Sequence, residues 1–457
     1  MSANSPSNEN TLFSLTKPLT LFLIVTIPGI ISMLMSSLYQ TIDGICVGKV
    51  LGEEAFAAVN LVMPLVILNF SISDLIGVGS AVPIAIKLGE KKEHEARSIF
   101  TSACILIVAS GIIIGAVLFI FGEDFLLMMK ADGKITALAV QYLRVAAVFS
   151  PVTTMLFAVD NFLRICGKIR YSMFVNILMS VLCIVFEVAL LFVMRLGVWA
   201  AAFAFSASMA ICVIVAFIPF LSGKLALRFV KPNFSFSIIS QIVSNGMPTF
   251  LFNIAGRITS IIMNFYLLYF GGATAVSAYG VLMYADGIIQ PVLYGLCDSL
   301  QPAIGYNYGA KQFGRIRSLE KICFGVCAAL SGIMMAISLV WRKGIVSLFS
   351  ESENSALLEL ACRAMIFFAT AYVVRWFCLA VQSYMTAVGK VKYATLISVC
   401  AAFIFPVILI FALLPMGLDG LWLNMPLASL LTAVVSAFIL IKARSELKRE
   451  ELESNAS

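Results

Sequence analysis

Several charged side chains lie inside long apolar stretches of the sequence, where charge is costly. They include five acids and three arginines: Asp43, Asp74, Glu187, Asp286, Asp298, Arg144, Arg257 and Arg375. An ionised side chain at the centre of a bilayer costs roughly 2.5 to 3.5 kcal/mol on insertion scales, so each is a candidate functional group. Two carboxyls that share a cavity of low dielectric constant favour the neutral form, and one of them can then take up and release a proton. Such a pair could couple an ion to the movement of helices.

The composition indicates that a bilayer surrounds most of the chain. Of the 457 residues, 61% are hydrophobic and only 12% are charged, which is more apolar side chain than a soluble domain of this length buries. A helical span needs roughly 20 apolar residues. Twelve such stretches are predicted, at residues 18–40, 55–86, 98–121, 137–162, 171–194, 198–221, 246–270, 275–307, 318–341, 360–386, 393–415 and 419–442. The predicted fold class is an all-α polytopic membrane protein.

The sequence also contains an internal repeat. Residues 26–98 align without a gap on 246–318, so that Pro28 meets Pro248. Six spans in each half give both halves the same orientation, which predicts two six-helix lobes related by a pseudo-twofold axis along the membrane normal. Both prolines remove a backbone hydrogen bond from their helix, so we expect kinks that could serve as hinges.

Charge placement and composition predict the domain order and topology. The predicted segments are a disordered N-terminal tail (1–11), the first lobe (12–222), a cytoplasmic amphipathic linker (223–244), the second lobe (245–442) and a charged cytoplasmic tail (443–457). The linker fits a surface helix, and an ordinary linker is an equally open alternative. Most lysines and arginines face the cytoplasm if the N-terminus does, so the positive-inside rule predicts a plasma (inner) membrane protein with both termini cytoplasmic. The N-terminal tail lacks the pattern of a cleaved signal peptide.

The same charge placement argues against nucleic acid as a partner, and the remaining residues give no sign of catalysis. The 11 cysteines are scattered through apolar helices, and Cys323 and Cys327, one turn apart, have no histidine nearby in sequence. We expect them to be packing residues and predict no metal site and no cofactor. The single histidine, His94, lies in a basic loop, and no nucleophile or phosphate-loop motif is present, so an enzyme is disfavoured.

Several motifs in order along the chain resemble the multidrug and toxic compound extrusion (MATE) family. They are Asp43-Gly44 ahead of Leu51-Gly52-Glu53-Glu54-Ala55, Asn161-Phe162-Leu163-Arg164, the stretch from Gln301-Pro302 to Tyr306-Asn307-Tyr308-Gly309-Ala310-Lys311, and residues 420–426. The resemblance implies a V-shaped pair of lobes, driven by protons or sodium, that exports amphipathic and often cationic drugs. A monomer is expected.

The resemblance also implies roles for particular residues. The cation site of the family would fall on Asp43 and Glu187, with Cys183, Asp160 and Asn161 as further members. The family commonly has an Asn where this chain has Cys183, and a Thr where it has Phe205; because hard cations prefer oxygen ligands, protons are favoured over sodium. The alternatives are structural: Arg144 could neutralise Asp43 or Glu187, and Asp160 could pair with Arg164 at i, i+4. A second cation site in the other lobe is not expected, and Arg257, Arg375 and Asp286 would neutralise one another.

Substrate contacts are predicted from aromatic, thioether, amide and acidic side chains. The candidates are Met33, Tyr39, Gln40, Asn69, Asp74, Asn253, Asn264, Tyr279, Met283, Asp286, Tyr294 and Asp298. Aromatic faces attract flat cations and thioethers adapt to varied shapes, although interhelical hydrogen bonding is an open alternative for the amides. A flippase for a lipid-linked precursor, and a channel or receptor, remain alternative functions. The excess of acids over arginines inside the spans favours cationic cargo.

Overall fold

The computed structural model describes residues 8–128, 133–223, 225–347 and 355–456, and the regular structure in these ranges is entirely helical. The α-helices in chain order are α1 Asn8–Leu15, α2 Pro18–Leu51, α3 Glu53–Gly89, α4 Glu93–Met128, α5 Gly133–Thr153, α6 Met155–Ile165, α7 Ile169–Glu187, α8 Val198–Leu221, α9 Phe236–Asp298, α10 Gln301–Gly309, α11 Phe313–Val340, α12 Arg342–Ser347, α13 Ser355–Ala387, α14 Val391–Val399, α15 Phe405–Leu413 and α16 Gly417–Ala456. Two π-helical segments, Val188–Val193 and Cys400–Ile404, and one 3₁₀ turn, Leu414–Met416, complete the set.

The predicted twelve spans are present. Ten continuous helical stretches in the described ranges are long and apolar enough to cross a bilayer, and two of them, Phe236–Gly309 and Val391–Asn455, are long enough for two spans each. The first is broken at Gly272, where φ is 62°, and the second at the 3₁₀ turn before Gly417, where φ is 61°. The all-α membrane fold predicted from the sequence is therefore confirmed.

The sequence repeat recurs in the backbone. Lys91 and Lys311 occupy matching repeat positions, and both adopt a positive φ, 61° and 57°, which is uncommon for a residue with a Cβ atom. The same holds for two glycine pairs: Gly52 (87°) with Gly272 (62°), and Gly167 (74°) with Gly389 (70°). The two halves of the chain therefore turn in the same way at equivalent points.

The chain divides into two compact units whose membership does not follow chain order. Among the described residues, the first unit comprises 8–16 and 31–246, and the second comprises 17–30 and 247–456. The predicted lobes place residues 17–30 in the first half, but by its contacts this start of α2 packs with the second unit. Conversely, the start of α9, up to residue 246, packs with the first unit.

Glycines allow this close packing at both places. A Cβ atom on Gly29 would lie 1.8 Å from Ser299 Oγ, inside the second unit. A Cβ atom on Gly246 would lie 1.8 Å from the Leu75 carbonyl oxygen, inside the first. Small residues let membrane helices approach until their backbones touch, so each helix start is held by a contact that a larger residue would prevent.

The segment before α9 is a bound connector. Residues 225–235 have no helix, and the helix begins only at Phe236, so an amphipathic surface helix does not form over the first half of the predicted linker. The connector lies along α4: Arg97 Nε donates to the Ala226 carbonyl at 2.8 Å, and Thr101 Oγ1 accepts from the Val230 amide at 3.1 Å. At the N-terminus, α1 begins inside the predicted disordered tail, while residues 1–7 lie outside the described part.

Each unit has its own apolar core and one π-helical segment. The core of the first unit includes Val62 and Leu191, and that of the second includes Leu282 and Ile410. Both π-helical segments lie in the fifth span of their half but at different points along it, since the repeat offset of 222 aligns Cys400–Ile404 with residues 178–182 and not with Val188–Val193. Because π-helical turns widen the backbone and are frequent at functional sites, the residues beside them are candidates for function.

Candidate functional site

Two carboxyls meet in the first unit. Asp43 lies on α2, and Glu187 is the last residue of α7 before its π-helical segment. Glu187 is fully buried, and the carboxyl of Asp43 lies close to it. Among the described residues, neither oxygen of Glu187 has a hydrogen-bond donor. Leaving a buried carboxylate without a donor is costly, so a proton held between the two carboxyls would supply what the site lacks.

The surroundings of this pair are aromatic and sulfur-containing. Tyr39, Tyr142 and Cys183 are buried around it, at 4%, 5% and 0% exposure. Ser208 and Tyr39 lie close to the Cys183 thiol. Besides the two carboxyls, these surroundings therefore offer phenol hydroxyls, a serine hydroxyl and a thiol.

Sequence reasoning missed two of these neighbours, Tyr142 and Ser208. Tyr142 could have been identified as a candidate, because it places a hydroxyl group inside an apolar span, two residues before Arg144. Ser208 carried no comparable signal, because small hydroxyl residues are common in membrane helices.

A narrow cavity of about 10 Å³ lies among Asn69, Tyr142 and Phe205. It has room for about one water molecule. Asn69 Nδ2 donates to Ser150 Oγ at 2.8 Å, and the ring of Phe205 stacks on that of Tyr39 at 5.7 Å. Tyr142 thus borders both the cavity and the acid pair.

Asp160 and Asn161 belong to other contacts. Asp160 pairs with Arg164 at 2.7 Å and accepts hydrogen bonds from Ser172 and Asn176, at 2.5 and 2.8 Å. The Asn161 side chain donates to the Phe157 carbonyl at 3.1 Å. In the described ranges, neither residue makes a hydrogen bond or ion pair with Asp43 or Glu187, so the structure favours the structural alternative for Asp160.

Arg144 does not neutralise the acid pair. Its guanidinium lies 3.2 Å from Glu123, and both side chains are more than half exposed. The alternative in which Arg144 pairs with Asp43 or Glu187 is therefore not what the structure shows.

The second unit contains a larger cavity of about 310 Å³. Four of the predicted substrate residues line it: Tyr279, Met283, Asp286 and Tyr294. The wall also holds an ion pair, since Arg375 Nη1 lies 3.0 Å from Asp286 Oδ1. Tyr372 donates a hydrogen bond of 2.8 Å to the same oxygen, and the carboxylate is thus neutralised and held in place.

Sequence reasoning missed several other residues of this wall. They come from α9, α13 and α16 and are Phe252, Phe368, Tyr372, Gln382, Trp422 and Asn424. The π-helical segment contributes Ala401 and Ala402. The repeat could not identify these residues, because it aligns positions without giving the direction in which a side chain points.

The acid pair of the first unit has no equivalent in the second. The repeat positions of Asp43 and Glu187 are Met263 and Leu409, both apolar. Arg257 is exposed, and in the described part of the chain it makes no contact with Asp286 or Arg375. The expectation that all three residues neutralise one another therefore holds for two of them.

Five of the remaining candidates are not among the described residues that line the two cavities: Met33, Asp74, Asn253, Asn264 and Asp298. Asn264 donates to the Ser260 carbonyl at 3.0 Å, and Asp298 accepts from Gln301 at 2.9 Å. Three others are partly buried on α2, α3 and α9, namely Met33, Asp74 and Asn253. The side chain of Gln40 lies outside the described part of the structure.

Comparison with known proteins gives consistent matches over nearly the whole chain. A family model described as MatE matches residues 28–189 and 248–412. The multidrug export protein MepA of Staphylococcus aureus (strain NCTC 8325 / PS 47) is 24% identical over 428 residues, covering 92% of this chain and 93% of that protein.

Two solved structures share the fold. One, described as an outward-facing conformation of a multidrug resistance MATE family transporter of the MOP superfamily, aligns with a TM-score of 0.92 at 20% identity, over 98% of this chain and 100% of that one. Another, described as MATE in the bent conformation, aligns with a TM-score of 0.90 at 20% identity and the same coverage.

Proposed function

The chain belongs to the MatE family, the multidrug and toxic compound extrusion transporters, and from this premise we propose that it exports amphipathic, often cationic compounds in exchange for protons. The observation that carries the proposal is the buried Glu187 carboxyl, which has Asp43 as its neighbour and no donor among the described residues. Transport rather than catalysis is the proposed activity.

A proton can drive such a carrier only if it binds two conformations with different affinity. Protonation of the pair removes a buried negative charge and creates a donor between α2 and α7. Deprotonation leaves two carboxylates side by side, which repel each other. The two helices therefore have different preferred arrangements in the two states. Protons are favoured over sodium because Cys183 and the stacked Phe205 supply no oxygen ligand.

The substrate region that we propose is the cavity of the second unit. Tyr279 and Tyr294 offer aromatic faces, and Met283 offers an adaptable thioether. Asp286 is the acid at this wall, and a cationic compound would compete with Arg375 for it. This composition suits flat, partly apolar cations of varied shape. The name of the Staphylococcus relative, a multidrug export protein, supports the same substrate class.

Pro28 and Pro248 are proposed as hinges. Pro28 lies two residues before the point where α2 passes from the second unit to the first, and Pro248 lies two residues after the corresponding change in α9. A proline removes a helical hydrogen bond and lowers the cost of bending at that point. We further propose a monomer in the plasma (inner) membrane with both termini cytoplasmic, on the basis of the lysine and arginine distribution.

The test is efflux of a fluorescent organic cation from liposomes that contain the purified protein. An imposed pH gradient should drive efflux by the wild type, and a sodium gradient alone should not. Asp43→Asn and Glu187→Gln should both reduce pH-driven efflux to background. Glu123→Gln, which alters an exposed acid, should leave efflux unchanged. Efflux driven equally well by sodium, or unaffected by both acid substitutions, would contradict the proposal.

A further inference from the structure

Three buried thiols converge in the second unit, away from its cavity. Cys297 lies one residue before the end of α9, and Cys323 and Cys327 lie one turn apart on α11. Cys327 Sγ is 3.6 Å from Cys297 Sγ and 3.9 Å from Cys323 Sγ, and the three sulfurs lie within 4.8 Å of one another. The exposures of Cys297, Cys323 and Cys327 are 3%, 5% and 0%. Two helices thus direct three thiols toward one point.

We propose that these cysteines form a binding site for a soft, thiophilic metal ion of the Cu(I) class. Metal–sulfur bonds in proteins are about 2.3 Å long, so three sulfurs around one ion lie about 3.8 to 4.0 Å apart. The contact of 3.9 Å has this spacing and that of 3.6 Å is slightly shorter, and a small rotation of the side chains would bring all three pairs to it. Thiolate sulfur is the ligand that selects Cu(I) over hard cations.

Coordination number favours Cu(I) at this position. Structural zinc sites usually have four protein ligands, whereas three sulfurs converge here among the described residues. The cysteines bind the ion as thiolates, and the protons that they lose on binding pass to the solvent.

Simple packing and a disulfide both account for the cluster less well than a metal site does. Cysteines in apolar helices often only pack, but packing does not require three sulfur atoms to face one another. A disulfide requires a sulfur–sulfur distance of about 2.05 Å, and Cys323 and Cys327 lie one turn apart on a single helix.

The experiment uses the purified full-length protein in detergent under reducing conditions. Cu(I) is supplied as a complex with a colorimetric chelator, and the metal that the protein retains is measured. The wild type should retain one equivalent, and X-ray absorption should show sulfur ligands at about 2.3 Å. Cys327→Ser should lower retention at least tenfold. Cys212→Ser, which alters a single buried thiol on α8, should match the wild type.

Three results would overturn the proposal. They are retention by the wild type no higher than by the triple variant Cys297→Ser/Cys323→Ser/Cys327→Ser, an equal loss in Cys212→Ser, and an absorption spectrum with oxygen or nitrogen ligands in place of sulfur. If Cys327→Ser fails to fold, the wild-type spectrum and the variant Cys297→Ser decide the question. None of these results depends on proton-coupled export.

Discussion

The carboxyl of Glu187 faces that of Asp43 in a buried part of the first unit, and neither oxygen of Glu187 has a donor among the described residues. A pair of acceptors in this position is stable when a proton lies between them. The folded state therefore favours a protonated pair. This preference can be tested by measuring thermal stability and transport activity.

Replacing Glu187 with glutamine should separate these two effects. The amide keeps the shape of the side chain, carries no charge and offers an N–H donor to Asp43, so the thermal unfolding midpoint at pH 7 should stay equal or rise. Efflux driven by a pH gradient should be lost. Melting in detergent and efflux from liposomes measure the two quantities, with Glu123→Gln as the surface control. A clear fall in the midpoint of Glu187→Gln would show that the carboxylate itself has a stabilising partner.

The Asp286–Arg375 pair should behave as a coupled unit. Arg375→Ala leaves Tyr372 as a partner of Asp286. Loss of one member of a buried pair lowers the free energy of unfolding by about 3 to 5 kcal/mol. The loss should be somewhat smaller in this case, because Arg375 is 24% exposed. The double variant Asp286→Asn/Arg375→Ala should recover part of the lost free energy of unfolding. Arg363→Ala breaks an exposed pair with Asp419 and should cost under about 1 kcal/mol. Additive effects of the two single substitutions at the buried pair would contradict the coupling.

Gly29→Ala should weaken the packing of the start of α2. The new Cβ would lie 1.8 Å from Ser299 Oγ and 2.8 Å from the Gly295 carbonyl oxygen, and overpacking of this kind costs about 1 to 3 kcal/mol. The matched control is Gly325→Ala on α11, where no atom lies within 4 Å of the new Cβ. Thermal midpoints of the two variants in detergent give the comparison. Equal midpoints would show that the atoms around the new Cβ shift without a loss of stability.

The tail of α16 should show acid-sensitive stability. Glu446 accepts hydrogen bonds from Lys390 Nζ at 2.7 Å and from the Tyr393 hydroxyl at 2.6 Å. These contacts, Lys390 first, hold the pKa of Glu446 below its ordinary value. A lowered pKa in the folded state gives stability that is present at neutral pH and is lost as the pH falls through that value.

Glu446→Gln should therefore lower the thermal midpoint slightly at pH 7, by the equivalent of less than about 1 kcal/mol because the site is exposed. The difference from the wild type should vanish in strong acid. Glu453→Gln, further along the same helix, serves as the comparison. A difference that persists unchanged at low pH would exclude the ion pair as its source.

The fold could be predicted from the sequence because the lengths of the apolar stretches and the internal repeat can both be read from the linear chain. The contacts of single side chains could not be predicted in this way. Arg144 lies at a plausible depth to meet Glu187, but depth along a helix does not give direction around it, and the side chain points to Glu123. Arg257 illustrates the same limit, since it is exposed while Arg375 on α13 reaches Asp286.

The charged tail is a second case in which composition was insufficient. Its alternating charges are typical of a solvated helix, yet they are matched to groups elsewhere in the same unit. Arg317 contacts Glu451 through two hydrogen bonds of 2.6 and 2.8 Å, and Tyr308 donates to Glu450 at 3.0 Å. Long-range charge pairing of this kind requires the three-dimensional arrangement of the helices.

The contact of Gly29 with Ser299 has a consequence for how the chain is made. The first membrane segment leaves the ribosome early, but its partners follow about 270 residues later, a delay on the order of 15 to 50 s at the usual rates of synthesis. Until then this segment lies in the bilayer without its final packing partners. The start of α2 therefore reaches its final packing only when the second half of the chain is being made.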